Sequence, residues 1–388
     1  TRAQRGDRLT VDVTDLAFGG EGVARAGGFV VFVPGGVPGD RLEVRLTQVR
    51  PRFAHGEIVE VLTRSGLRTD PPCPYFGRCG GCRLQHVRYE AQLEFKQRQV
   101  AECLARLGGL GPAVSLPIRP IIGAPEIYGY RNKMEFTVAR GDAAERVVPK
   151  GRRLSGPDGP GQPAVVVGLH EADRYDAVLD VERCLLQSDR MNALLEEARL
   201  FFTERRLTVY DQESGEGLLR FLMLREGKRT GEAMVNVVTS APAVSELEPL
   251  VGRAQARVPE TSSVVLNVNP KKASVAVGVE EHLLGGRDHI RESLGDLTFQ
   301  VSAGSFFQTN TVQAERLFGL VLDAAALTGQ ETVVDLYSGT GAISLLLARR
   351  CRHVYGIEVA PAAVADAVRN AEVNGITNCS FVAGEVRF

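Results

Sequence analysis

Over the first sixty residues, hydrophobic and polar positions alternate in short runs, LTVDVTDL, FVVFV, RLEVRLTQV and AHGEIVEVL, separated by the glycine turns GGEGVARAGG and PGGVPGD. A period of two with regularly spaced turns predicts a small antiparallel barrel of the OB type, a module used for nucleic acid or for purely structural and protein-binding roles. After a linker, TRSGLRTDPP, the period changes. RYEAQLEFKQRQVAECLARLGG reads as a helix over 88–108 stopped by Gly108 and Gly109, with Leu93, Val100, Leu104 and Leu107 along one face. Cys103 lies beside that stripe and is expected to be a small buried thiol. Proline and glycine punctuate 111–130. Strand-like runs (KMEFTVA, AVVVGLH, LLRFLMLR, EAMVNVVT, SVVLNVN, ASVAVGV) and helices near 190–206 and 244–258 then predict an α+β region up to about 300. Within it, GRRLSGPDGPGQP (151–163) reads as an exposed loop.

From about 311 the order becomes helix (TVQAERLFGLVLDAAAL), buried strand (TVVDLY), glycine turn, helix (AISLLLARR), strand (VYGIE), a helix opened by Pro361 and closed by Gly375, and a last strand, SFVAG. Alternating β and α with short links predicts a doubly wound, Rossmann-like parallel sheet. In VVDLYSGTGAISLLLA, Gly339 and Gly341 sit between strand and helix, where backbone N–H groups can face a ligand with no Cβ in the way. Glu358 ends the next strand, 21 residues after Tyr337, where its carboxylate can accept from both hydroxyls of a ribose. A nucleoside-bearing cofactor follows. Dinucleotide sites carry a third small residue where this chain has Ser344. The upstream Asp335 in DLYSGTG favours S-adenosylmethionine (SAM) over NAD or FAD, with a ligand-free structural turn as the remaining reading.

A length of 388 residues fits two to three domains at roughly 150 each. No apolar run is long enough to span a membrane and TRAQRGDRLTVDV has no apolar signal core, so a cytoplasmic location is expected. The net charge of -1 argues against a nucleic-acid partner until it is resolved by segment. Residues 41–153 hold 20 Lys and Arg against 11 Asp and Glu, a basic block that is either a solvated face or a surface for an RNA or DNA backbone.

Seven cysteines suit reduced thiols or metal ligands better than a disulfide framework. Cys73, Cys79 and Cys82 fall together in CPYFGRCGGCRLQH, where Gly80 and Gly81 would let the loop wrap a cluster closely. The C-x5-C-x2-C spacing favours iron–sulfur over zinc, with free thiols as a third reading. Cys184, in DVERCLLQ, and His86 compete as fourth ligand. Cys351 and Cys379 are expected to be small buried residues of the cofactor domain.

A barrel, a C-x5-C-x2-C loop, a distant Cys and a SAM domain in this order resemble the RNA (uracil-5-)-methyltransferase family, in particular its 23S ribosomal RNA branch. The likeness covers essentially the whole chain. GGEGVAR with FVVFVPGGVPGDRLEV resembles the family's TRAM domain, CPYFGRCGGCRLQH with DVERC its 4Fe-4S site, YGYRNKMEF a segment of its central domain, and SAGSFFQTN with DLYSGTGAISLLLA and VYGIE its cofactor-binding half. The resemblance implies a multidomain α/β and β chain. A TRAM/OB-like barrel occupies 1–62, a central α+β iron–sulfur and RNA-binding domain 63–300, and a SAM-dependent methyltransferase domain 301–388. The helix over 88–108 would pack on the last of these. It implies that Cys73, Cys79, Cys82 and Cys184 bind the cluster and that Gln308, Tyr337 and Glu358, with the Gly339/Gly341 turn and Glu385, contact SAM. Phe306 would stack on the target base, a role physically sensible for an enzyme that must unstack its target, while an ordinary core Phe is the alternative. Arg131 and Lys133 would contact RNA or simply be surface charge.

The implied reaction is methylation of C5 of a uridine in 23S rRNA through a covalent cysteine–C6 adduct. Transfer RNA is the other substrate class, and a noncatalytic RNA-binding iron–sulfur protein the reading of another class. No obligate protein partner and no membrane association are implied. Uracil C5 is a poor nucleophile, so the chemistry needs a thiolate to add at C6 and a base to remove the C5 proton. The family's motifs for these two groups are not found before SFVAGEVRF. Only three strands can be read between Thr332 and Phe388, fewer than a methyltransferase sheet needs, so further residues beyond Phe388 are expected.

Overall fold

The computed structural model describes residues 3–112, 115–141, 165–273 and 275–386; the segment 151–163 lies outside them. The chain divides into two compact units, 1–125 with 171–174, and 126–170 with 175–388.

In the first unit, β1 (Arg8–Leu16), β2 (Gly22–Ala26), β3 (Phe29–Val33), β4 (Arg41–Val49) and β5 (Phe53–Thr63) close a barrel in the order β1-β2-β3-β5-β4. The alternation works as expected: Val11, Val13, Val31, Val33, Leu42, Val44 and Leu46 point inward and fill the core, and the residues between them face out. Asp40, in the turn before β4, is buried and accepts from the N–H groups of Val37 (2.7 Å) and Ser65 (2.9 Å), while the Arg68 guanidinium donates to both its oxygens. Burial pushes the Asp40 carboxyl up, but the Arg68 and backbone donors outweigh it and hold its pKa below the usual carboxylate value. We therefore expect Asp40→Asn to cost about 3 kcal/mol or more in denaturant unfolding, because it strands a half-buried guanidinium. The wild type should lose the same contribution as pH falls below about 4 toward the depressed native pKa. A loss under about 0.5 kcal/mol, typical of an exposed pair, would show that the pair contributes little.

Helix α1 (Tyr89–Arg106) forms where expected but buries a different face. Ala91 and Phe95 pack with Leu16, Val37 and Val87, whereas Val100 and Leu107 are 51% and 86% exposed. The barrel presents its apolar surface to the first two turns only, and Arg98 and Gln99 fasten the next turn to Asp15 and the Leu16 carbonyl. Cys103, one turn further on, is exposed rather than buried.

The second unit is built on a seven-stranded sheet. Its strands are β6 (Lys133–Arg140), β7 (Val165–Glu171), β8 (Arg174–Asp180), β9 (Leu219–Glu226), β10 (Ala233–Thr239), β11 (Thr261–Val268) and β12 (Glu280–Gly286), in the order β12-β11-β10-β9-β6-β7-β8. Strands β10 and β11 are parallel, joined by α3 (Val244–Leu247) and α4 (Pro249–Arg257), and α2 (Asp189–Glu204) packs against α4. The hairpin β13 (His289–Leu294) and β14 (Leu297–Ser302) follows. Helix α5 (Thr311–Ala325), β15 (Thr332–Leu336), α6 (Ala342–Ala348), β16 (His353–Glu358), α7 (Pro361–Val373) and β17 (Cys379–Ala383) then form the expected β/α alternation, with β15, β16 and β17 parallel in that order. One core runs through the unit: Met234 and Val265 of the large sheet, Phe299 and Val301 of the hairpin, Phe307, Phe318, Leu345 and Ala371 pack together. Helices α6 and α7 cover one face of the small sheet, and Val334, Leu336, Tyr355 and Val382 on its other face are exposed. No helix among the described residues is long and apolar enough to cross a membrane.

Candidate cofactor cleft and cysteine loop

A cleft of about 470 Å³ opens where the chain turns from β15 into α6, lined by Phe306, Phe307, Gln308, Phe318, Asp335, Tyr337, Gly339 and Thr340 among others. The turn is shaped by left-handed backbone at Tyr337 (φ 65°), Gly339 (φ 54°) and Gly341 (φ 81°). At Gly341 glycine is needed twice over, since a Cβ would also press on Phe381 at 3.0 Å and Ala367 at 3.1 Å. For Tyr337 the same φ is strained, which a structure tolerates where the site requires it. Asp335 accepts from the hydroxyl of the fully buried Ser344 at 2.6 Å, and burial raises its carboxyl pKa. The Ser344 hydroxyl thus has a use, fixing Asp335 against the turn.

Glu358, at the end of β16, accepts from the N–H groups of Gly339 (3.0 Å) and Ala360 (2.9 Å), one on each carboxylate oxygen. Each oxygen retains a lone pair, so the carboxylate is both aimed by the turn and able to accept from a diol. Gln308 and Phe306 reach the cleft from the SAGSFFQTN segment. Phe306 is 67% exposed while its neighbour Phe307 is 5% exposed and belongs to the core, which removes the core-Phe reading of Phe306. Glu385 is exposed, does not line the cleft, and follows Gly384, whose N–H donates to the Glu358 carbonyl.

Two motifs far apart in sequence meet here. Buried Asn132, inside YGYRNKMEF, donates from Nδ2 to the Gln308 carbonyl (2.7 Å) and to Thr311 Oγ1 (3.0 Å), and its N–H donates to the Thr309 carbonyl. Asn132 itself gave no sign in the sequence of being more than a neighbour of Arg131 and Lys133. Those two cations are half-buried: Lys133 is ion-paired with Glu135, and burial lowers its pKa.

In the first unit, Cys73, Cys79 and Cys82 are partly exposed on one loop. Burial raises the thiol pKa of Cys73 and Cys79, and Cys82 raises both further, so the three lie within electrostatic reach of one another. The left-handed residue of the loop is Gly77 (φ 89°) rather than Gly80 or Gly81. Arg78 pairs with Glu171 at 2.6 Å and its carbonyl accepts from the Ala172 N–H, which ties the loop to the 171–174 turn. His86 is buried against the Phe76 ring with both ring nitrogens unpartnered, and burial lowers its pKa to about 4. In the second unit, Cys184 is buried, and Asn192 Oδ1 and Nδ2 hold its backbone N–H and C=O. Among the described residues no three His, Cys, Asp or Glu side chains converge as a ready metal-ligand group. The donor chemistry of the loop suits a thiolate-bound metal, although its thiols do not converge.

Comparison with known proteins now adds to this geometry. Residues 2–59 match the TRAM domain and residues 274–385 the tRNA (Uracil-5-)-methyltransferase family. A protein of Halalkalibacterium halodurans named as an uncharacterized RNA methyltransferase is 36% identical over 98% of this chain and 78% of its own length. One of Chlorobaculum tepidum, similarly named, is 38% identical over 100% of this chain and 79% of its own length.

The chain belongs to the RNA (uracil-5-)-methyltransferase family.

Among solved structures, the Pyrococcus abyssi tRNA (uracil-54, C5)-methyltransferase in complex with S-adenosyl-L-homocysteine is 26% identical. It superposes with a TM-score of 0.71 over 97% of this chain and 79% of that one. For this methyltransferase, the expected barrel is matched as a TRAM domain and the second expected half as a methyltransferase domain over residues 274–385.

Proposed function

We propose that this enzyme transfers a methyl group from SAM to C5 of a uridine in RNA, with 23S rRNA as substrate. The observation that carries the reading is the cleft itself. An exposed Phe306 stands beside Gln308, Tyr337 and the Gly339 turn, with Glu358 held by that turn to accept from a ribose. SAM, when bound, supplies an electrophilic methyl group. The residues of this chain hold the reactants: Glu358 takes the ribose hydroxyls, Gln308 and Tyr337 hold the remainder of the cofactor, Glu385 is read from the resemblance alone as a further contact, and Phe306 stacks on the unstacked base. Neither cysteine of this half is a candidate nucleophile. Cys351 is buried with its thiol against the His353 carbonyl, and burial pushes Cys379 up to about 11, so both stay neutral thiols.

RNA contact begins at the barrel. Phe32 and His55 are paired in register and stacked at 5.4 Å, Phe53 pairs with Val30 and lies 5.9 Å from Phe32, and Arg25 pairs with Val30 on the same outward face. Arg50 and Arg52 flank it in the β4–β5 turn. Rings beside guanidiniums suit bases and phosphates, which supports reading part of the basic block as an RNA contact. In the second unit, Arg131 and Lys133 are read as further RNA contacts. The sequence is read as three domains, 1–62, 63–300 and 301–388, acting in the cytoplasm. Cys73, Cys79, Cys82 and Cys184 are read as ligands of a structural 4Fe-4S cluster. What supports the cluster is the C-x5-C-x2-C spacing, which carries three thiols on one loop. No step of the methylation uses it.

Transfer RNA is the second reading, favoured by the likeness to the Pyrococcus abyssi tRNA enzyme. Methyl transfer from labelled SAM to separate 23S rRNA and tRNA transcripts decides: label in the 23S transcript alone is expected. Label confined to tRNA would replace the first reading with the second.

A further inference from the structure

Helix α7 and its C-cap carry Asp366, Asn370 and Asn374 at every fourth position, and β14 carries Thr298, Gln300 and Ser302 at every second. Four residues of helix rise about 6 Å and two of strand about 6.8 Å, so the two series keep step. They run in opposite directions and pair one to one. Asn374 accepts from the Thr298 N–H (2.9 Å) and donates to its carbonyl (2.7 Å). Asn370 does the same at Gln300 (2.7 and 3.4 Å), and Asp366 accepts from the Ser302 hydroxyl (2.8 Å) and from Ser305. Among the described residues β14 pairs with β13 alone, and the carboxamides of Asn370 and Asn374 supply its other edge with the donor and acceptor that a further strand would provide.

Asn370 does one thing more. Fully buried, it donates its second amide hydrogen to the carbonyl of Thr340 at 3.1 Å, in the glycine turn. One side chain is therefore bonded to both lips of the cleft: to β14, which runs into the segment bearing Phe306 and Gln308, and to the turn that aims Glu358. We propose that Asn370 is a positioning residue that fixes the gap between these lips, and hence the enzyme's affinity for SAM. The inference rests on the reading that this cleft holds SAM. Neighbouring bonds fix the rest of the segment. Arg225, wholly buried, donates to the carbonyls of Ala303 and Ser305, and Asn132 donates to that of Gln308. Among the hydrogen bonds of the described residues, those of the Asn370 side chain join β14 to the turn.

Asn374 provides the control, being the same kind of rung with no contact to the turn. We would titrate full-length wild type, Asn370→Ala, Asn370→Asp and Asn374→Ala with S-adenosylhomocysteine by calorimetry and follow thermal unfolding of each. Asn370→Asp keeps the acceptor for the Gln300 N–H and loses both donors. It carries the test if the alanine variant is unfolded at the assay temperature, and the alanine variant does so if the buried charge unfolds the other. Both alanine variants should lower Tm, since each removes a rung. Affinity should fall roughly tenfold or more in the Asn370 variants and stay within about twofold in Asn374→Ala. Folded Asn370 variants that bind like the wild type would overturn the proposal, as would an Asn374→Ala variant that loses as much affinity as Asn370→Ala. A wild type that binds no S-adenosylhomocysteine would instead strike at the cofactor reading itself.

Discussion

Replacing Glu358 by alanine is expected to weaken S-adenosylhomocysteine binding by roughly 100-fold or more, because two hydrogen bonds to a charged acceptor are lost at about 1.5 kcal/mol or more each. The carboxylate also organises the turn, accepting from the Gly339 and Ala360 N–H groups. Glu358→Gln separates the two effects: it keeps one acceptor oxygen and loses the charge, so its affinity should fall between wild type and alanine. Equilibrium titration checks both variants, with thermal unfolding to confirm that they are folded. Affinity within about twofold of wild type in Glu358→Ala would remove the ribose from this site.

The second large effect concerns the four cysteines. Anaerobically purified protein should be brown and carry about four irons per chain, and serine at Cys73, Cys79, Cys82 or Cys184 should each strip most of that iron. Serine at Cys103, exposed on α1, or at Cys351, buried beside β16, should leave it in place. The controls matter because any cysteine variant of a marginally stable unit could lose a cluster by unfolding. A colourless protein bearing stoichiometric zinc, or iron retained in all four variants, would contradict the assignment.

The parts legible in the sequence are those whose structure is decided locally. A period of two gave the barrel strands, and their inward residues are the barrel core. Capping and stop residues gave α1 and α7 nearly to their ends, and the glycine turn located the cleft. What could not be read was which partner each face would find. The stripe through Val100 and Leu107 has the spacing of a buried face, yet the barrel meets α1 at Ala91 and Phe95. The bonds that set the cleft, from Asn132 to Gln308 and from Asn370 to Gln300 and Thr340, span 30 to 176 residues, and nothing local marks an asparagine as a cross-chain tie. The spacing Asp366, Asn370, Asn374 was the available sign, three polar residues on one stripe of an otherwise alanine- and valine-rich helix.

Uracil C5 is the heart of the functional reading, and it has its own proton to report on it. RNA transcribed with [5-³H]uridine and incubated with the full-length enzyme should release tritium to water only when SAM is present, in step with methyl incorporation, because the new C5–methyl bond replaces the C5–H bond. Methyl incorporation without tritium release, or no incorporation into any RNA, would contradict methylation at uracil C5.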